Sequence, residues 1–105
     1  MTLSILFTGD INLVTVTDPK SPFSRVTDIM KQADLRFGNL ECCFYENANP
    51  DLMPADGFHA KVAAAGALPI AGFNVVGTAN NGNFGSEAIL HSNEKLDSMG
   101  TRRRS

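Results

Sequence analysis

Tryptophan is absent from this 105-residue sequence, tyrosine occurs once, and the only two cysteines, Cys42 and Cys43, are neighbours. A disulfide framework needs spaced partners, so adjacent thiols exclude one. A zinc site wants about two to four residues between paired thiolates, and this dipeptide has none. Both cysteines therefore read as small residues packing near a strand end. No apolar run approaches the roughly 20 residues that span a bilayer. No secretory signal is visible either, because the first strand begins almost at once after Met1-Thr2. The cytoplasm is the expected location, or a membrane-associated or extracytoplasmic one if an N-terminal anchor has been lost. Neither G-x-G-x-x-G nor a Walker A string follows the first strand, so a nucleotide-binding fold lacks its main signal.

Positive charge is also scarce, with 9 basic residues against 11 acidic ones and a net charge of −2. That balance argues against general nucleic-acid or membrane affinity, and no nucleic-acid partner is expected. The one basic cluster, Arg102 to Arg104, reads as part of a solvated tail over residues 101–105. What remains is ordinary globular composition, 43% hydrophobic and 19% charged, at a length that allows one domain at most.

Leu3 to Thr8 is short, apolar and β-branched enough for a buried strand that ends at Gly9-Asp10. Ser21-Pro22 has the pattern of an N-cap followed by the first helical position. The helix it opens runs to about Ala33, with Phe23, Val26, Ile29 and Met30 on its apolar face. Leu35 to Leu40 reads as a second strand. Residues 42–57 hold two prolines, two asparagines and a glycine, and form a long loop. A helix is expected from Ala60 to about Ala71, short or broken before Pro69. Phe73 to Ala79 is the third strand. Ser86 caps a last helix that carries Ala88, Ile89, Leu96 and Met99 and stops at Gly100.

The order βαβαβα predicts an α/β fold with a parallel sheet and right-handed crossovers. Strands of a parallel sheet end at one edge, and ligands bind there. Asp10, Asn39, Glu41, Asn80 and Asn81 lie at those strand ends. Two carboxylates and several amides can coordinate a hard cation through oxygen, or they can cap neighbouring loops. Spacing alone leaves both open. Asp10 and Glu41 would repel each other unless a cation or a raised pKa compensated. His59 and His91 read as a loop residue and a surface helix residue. Asp10-Ile11-Asn12 is similar to the aspartyl nucleophile motif of haloacid-dehalogenase phosphatases, but Asn12 stands where their general acid would be.

The strings ILFTGDINL, ADLRFGNLE and AGFNVVGTANN, followed by NFGSEAI and LDSMG, resemble the capsule-synthesis (CapA, or poly-γ-glutamate biosynthesis) family. They do so in the family's order and approximate spacing, from Leu3 to Gly100. The resemblance implies a calcineurin-like, metallophosphoesterase-like fold whose strand-end loops hold one or two divalent metals, Mn²⁺ or Mg²⁺ or similar. It places Asp10 in the family's GD motif, Asn39 and Glu41 in its GNLE motif, and Asn80 and Asn81 in its NNH motif. The implied metal set is Asp10, Asn39, Glu41 and Asn81, with Asn80 and Asn12 toward substrate. Gly82 stands where the family has histidine, so Gly82→His is expected to add a nitrogen donor. Residues 1–100 then read as the N-terminal part of such a domain, a truncated portion followed by the basic tail. Completed by the missing C-terminal part it would be a metal-dependent, phosphoesterase-like hydrolase, and its expected partners are a companion C-terminal chain or other capsule-synthesis components. The alternative is a non-catalytic binding or assembly module of the same fold with a decayed site.

Overall fold

A computed structural model of the chain describes residues 2–46 and 58–104. Most of the expected loop over 42–57 therefore lies outside the described residues. The first strand, β1, spans Ile5–Ile11 and is followed by a short helix α1, Thr27–Lys31, and by β2, Leu35–Leu40. Two two-residue strands, β3 (Cys43–Phe44) and β4 (His59–Ala60), pair with each other in parallel. A 3₁₀ turn over Val62–Gly66 runs into α2, Ala67–Ala71, and then come β5 (Val75–Gly77), α3 (Ser86–Ser98) and β6 (Arg102–Arg104). The main sheet has the order β1-β2-β5-β6, with every neighbouring pair parallel. The three expected strands are thus adjacent in one parallel sheet.

Three local expectations change. Helix α1 is shorter than the pattern suggested, because the segment from Ser21 to Val26 forms turns before regular helix begins at Thr27. Met30 is buried, but Val26 and Ile29 are exposed. With Leu6 and Phe73 they line an open groove of about 320 Å³ beside β1. The second helical segment begins at Val62, later than the expected Ala60, and it breaks before Pro69 as expected, at Gly66. Pro69 sits in the first turn of α2, where an N–H has no intrahelical acceptor, so proline costs little there. Gly72, at φ +92°, ends that helix with Gly72 N and Phe73 N both donating to Leu68 O at 3.0 Å. Gly100, at φ +73°, ends α3 in the same manner, and Thr101 N donates to Leu96 O at 3.1 Å. Left-handed backbone of this kind is a glycine preference.

The third change concerns the arginines. Arg102–Arg104, expected as a solvated tail, is the fourth strand, with Arg102 N donating to Asn74 O and Arg104 O accepting from Thr78 N. An edge strand needs ladder bonds on one side only. Its side chains stay in water, so charge is tolerated and even protects the edge. Arg103 alone turns back, pairing with Asp97 of α3 at 3.1 Å.

The core joins Ile11, Leu13, Leu40, Phe44, Leu68, Val76 and Leu96, all nearly or fully buried. Ser92 of α3 is buried with them, and its Oγ accepts from Phe44 N at 3.0 Å, tying the helix to β3. Cys42 and Cys43 are buried and unpaired, as packing residues. Burial pushes the Cys42 thiol up to about 11, the Leu13 backbone pulls it back in part, and Cys43 raises it further. No helix among the described residues is long and apolar enough to cross a membrane.

Candidate functional site

The strand-end edge is built around an irregularity in β1. Phe7 pairs with Phe37, but Asp10 pairs with Asn39, so two residues of β1, Thr8 and Gly9, oppose Gly38 alone. This is a β-bulge, and its effect is to re-aim the side chains that follow. Without the extra residue absorbed, Asp10 would fall opposite Leu40 and point into the helix side of the sheet, with Ile11 turned outward. With it, Ile11 is buried beside Leu40 and Asp10 is exposed beside Asn39. Gly38 admits this crossing because a Cβ there would collide with Ile11, Thr8 and Phe73.

Asp10 and Asn39 are joined directly, Asn39 Nδ2 donating to Asp10 Oδ1 at 2.8 Å. Asn39 Oδ1 in turn accepts from Asn80 Nδ2 at 2.9 Å. Asn80 is the hub of the loop after β5. It also donates to Leu40 O at 2.9 Å, and its Oδ1 accepts from Gly82 N and from Asn83 Nδ2, both at 3.0 Å. Asn83 Nδ2 completes the chain by donating to Leu40 O at 2.6 Å. Glu41 is half-buried and is fixed at the same edge by its backbone, Glu41 N donating to Ile11 O at 2.8 Å.

Asp10, Asn39, Glu41 and Asn80 are therefore gathered at one end of the sheet. Asn81 is exposed and takes no part in this chain of bonds among the described residues. Asn12 is exposed too, and its Oδ1 accepts from Val14 N at 3.1 Å, a loop-forming turn. Asn83 was missed by sequence reasoning. The signal available was its place three residues after Asn80, in a turn dense with asparagine.

Gly82 does not have the space that the family pattern implied. A Cβ there would overlap the backbone of Glu41, whose carbonyl oxygen and carbonyl carbon both come too close. Gly82 O also accepts from Phe58 N at 3.0 Å. The glycine lets the turn close onto the end of β2, so the expectation of a histidine donor at this position is corrected on steric grounds.

His59 and His91 share a neighbour, and His59 Nε2 also lies 3.5 Å from Phe84 O in the loop after β5. Both rings pack on Tyr45, with centroids 5.4 and 5.2 Å away. The Tyr45 hydroxyl is held above its ordinary pKa by burial, then by the charge and hydrogen bond of Glu87. Nδ1 of His59 is buried with no hydrogen-bond partner.

The donor set at the strand ends is oxygen only, two carboxylates with amides around them, which suits a hard cation in kind. It falls short in number. No group of three or more His, Cys, Asp or Glu residues able to hold a metal occurs among the described residues. What the arrangement does directly is hold Asp10 in place and close the loop after β5 over the end of β2.

Two comparisons bear on identity. Two uncharacterized proteins of Sinorhizobium fredii (strain NBRC 101917 / NGR234), y4sH and y4uA, are each 29% identical over 85 residues, 74% of this chain. The aligned part is 18% of each relative, so the chain spans less than a fifth of their length. The family described as bacterial capsule synthesis protein PGA_cap matches residues 4–102, and placement in the metallophosphoesterase superfamily is consistent with it. The match takes in β1, β2 and β5 whole and reaches the first residue of β6, so the chain belongs to the bacterial capsule synthesis protein family.

Proposed function

We propose that this chain supplies the acidic half of a divalent-cation site in a phosphoesterase-like capsule-synthesis protein, of the kind linked to poly-γ-glutamate. The observation that carries the reading is the bulge that sets Asp10 beside Asn39, at the edge where Glu41 is held. Asp10 and Glu41 would give carboxylate oxygens to Mn²⁺, Mg²⁺ or a similar ion. Asn39 acts on Asp10: its Nδ2 holds Oδ1, which leaves Oδ2 for a ligand. Asn80 fixes Asn39 through its own amide, so the pair positions the carboxylate rather than filling a coordination sphere. A cation bound here would act as a Lewis acid on a phosphoryl oxygen and acidify water. The remaining ligands would come from a companion C-terminal segment or chain.

A second reading, a non-catalytic binding or assembly module, is favoured by one observation. The turn at Gly82 is packed against Glu41 and has no room for the side chain that the family pattern puts there. The two readings separate on calorimetric titration of Mn²⁺ into the wild type, Asp10→Ala and Glu41→Ala. The cation reading predicts weak binding that both substitutions abolish. Heat changes identical in all three proteins would leave only the binding module.

A further inference from the structure

A side-chain amide can face either way, because its oxygen accepts and its nitrogen donates. Three of them in series, Asn83, Asn80 and Asn39, join the loop after β5 to Asp10, and groups of fixed polarity decide which way they face. At the outer end a carboxylate can only accept, so Asn39 turns Nδ2 to Asp10 Oδ1. In the middle, Gly82 N can only donate and Leu40 O can only accept. They hold Oδ1 and Nδ2 of Asn80 respectively. At the inner end Leu40 O accepts from Asn83 Nδ2 at 2.6 Å, and the Cys43 thiol donates to Asn83 Oδ1 at 3.4 Å. All these requirements select one direction, in which each Nδ2 points along the chain toward Asp10.

Burial grades the same way. Cys43 and Gly82 are buried, the three asparagines are half-buried, and Asp10 is exposed. The direction is thus set at the inner end by groups that solvent does not reach. Asn80 has both N–H groups and both lone pairs of Oδ1 in use, the last of them by Asn83, so one orientation is left to it. Bonds in series also reinforce one another: an amide whose oxygen accepts is the stronger donor from its nitrogen.

We infer that Asn83 is a positioning residue for the Asp10 carboxylate, acting through Asn80 and Asn39, with the buried Cys43 thiol fixing the direction of its amide. The inference rests on the cation reading for what Asp10 is held ready to bind, and on the metal-free bonds alone for the holding itself. Asn83 reaches no cation ligand directly. Its effect travels through two other side chains, so it differs from a group that fills a coordination position.

The test reads the Asn39 and Asn80 side-chain amide signals of the ¹⁵N-labelled chain in chelator, and then titrates Mn²⁺. Asn83→Ala removes the inner donor. Asn83→Asp keeps the shape but turns carboxylate oxygens toward Leu40 O and Asn80 Oδ1. Both should move the Asn39 amide protons upfield as the bond to Asp10 loosens. Asn83→Ala should also weaken Mn²⁺ binding about tenfold, the lower end of the range for groups that orient a ligand. Cys43→Ala leaves all three amides in place and should move the signals of Asn83, Asn80 and Asn39 in falling order. It keeps the test open if the Asn83 variants do not fold. Ser92→Ala removes the hydroxyl that accepts from Phe44 N and loosens the same strand from α3. It should lower the melting temperature and leave the Asn39 signals where they are. Asn39 signals that stay put in every variant at positions 83 and 43, or that move as far in Ser92→Ala, overturn the inference. So does Mn²⁺ binding by wild type that Asn83→Ala leaves undiminished. A wild type that binds no Mn²⁺, while Asn83→Ala still moves the Asn39 signals, refutes the cation reading and upholds the positioning chain.

Discussion

Asn39 donates from Nδ2 to Asp10 Oδ1 at 2.8 Å, across two strands whose register shifts just before the pair. The bond holds a carboxylate that would otherwise rotate freely on an exposed strand end. Asn39→Ala should therefore weaken Mn²⁺ binding about 10- to 100-fold while Asp10 itself is unchanged, the range expected when a group orienting a ligand is lost. Isothermal titration of the folded variant reads this. Unchanged affinity would mean that Asp10 needs no positioning.

The two glycines around the bulge should respond differently. A Cβ at Gly9 meets nothing within 4 Å, whereas one at Gly38 meets Ile11, Thr8 and Phe73. Gly9→Ala is expected to shift stability by no more than about 0.5 kcal/mol. Gly38→Ala should cost about 1–3 kcal/mol, because packed side chains must give way. Urea denaturation of both variants measures the difference, and equal effects would contradict the crossing described here.

Gly82→His is expected to lower, not raise, affinity for divalent ions. Its Cβ meets the Glu41 backbone, which cannot move as a side-chain tip can. Either the turn opens and Asn80 loses its bonds, or the end of β2 shifts and takes Glu41 with it. Comparing Mn²⁺ titrations and melting temperatures of wild type, Gly82→Ala and Gly82→His decides this. A histidine variant that keeps its stability and binds more tightly would restore the family's donor position.

Asn80 and Asn81 offer a paired test of which asparagine organises the site. Asn80 takes part in bonds to Asn39, Leu40, Gly82 and Asn83. Asn80→Ala should cost about 1–3 kcal/mol, since half-buried partners are left unpaired. The exposed Asn81→Ala should stay within about 0.5 kcal/mol. The reverse order in denaturant midpoints would move the hub by one residue.

Cys42 gives the chain a dependence on alkaline pH. Its thiol is raised from 9.0 to about 11, chiefly by burial. The unfolded chain gives up that proton near its ordinary value, while the folded chain keeps it. The contribution is therefore full below the unfolded value and is lost as pH climbs through the folded one. Two pKa units correspond to roughly 2–3 kcal/mol. Stability under reducing conditions should fall across that interval, and Cys42→Ala should remove most of the fall. Cys43, also raised by burial, leaves a residual slope. A flat profile for wild type would show that the thiolate is solvated in the folded chain.

How much of this was legible in the sequence depends on the element. Apolar runs marked β1, β2 and β5. Strand β1 is nevertheless exposed at Ile5 and Phe7, so its run reports strand preference and not the burial expected of it. Gly100 marked the end of α3 because left-handed backbone leaves a residue-type signature. The gathering of Asp10, Asn39 and Glu41 at one edge followed from parallel order alone. The fourth strand did not, since three arginines in a row carry no burial signal when only one side of a strand is paired. The bulge was only hinted at by Gly9. Its register depends on Gly38, 29 residues on, where space is set by Phe73 of yet another segment. The choice of Asn80 over Asn81 was likewise hidden, because it rests on which amide reaches Asn39 and Leu40 across the sheet.

The most direct test of the strand-end cation site is paramagnetic broadening by Mn²⁺ in ¹⁵N-labelled protein. At substoichiometric Mn²⁺ the backbone signals of Asp10, Asn39 and Glu41, with the Asn39 side-chain amide, should broaden first. Those of the exposed acids Asp18, Asp28 and Asp97 should stay sharp. Asp10→Ala should abolish the selective loss. Broadening that begins at other carboxylates, or that affects all of them alike, would contradict the assignment of Asp10 and Glu41 to a cation.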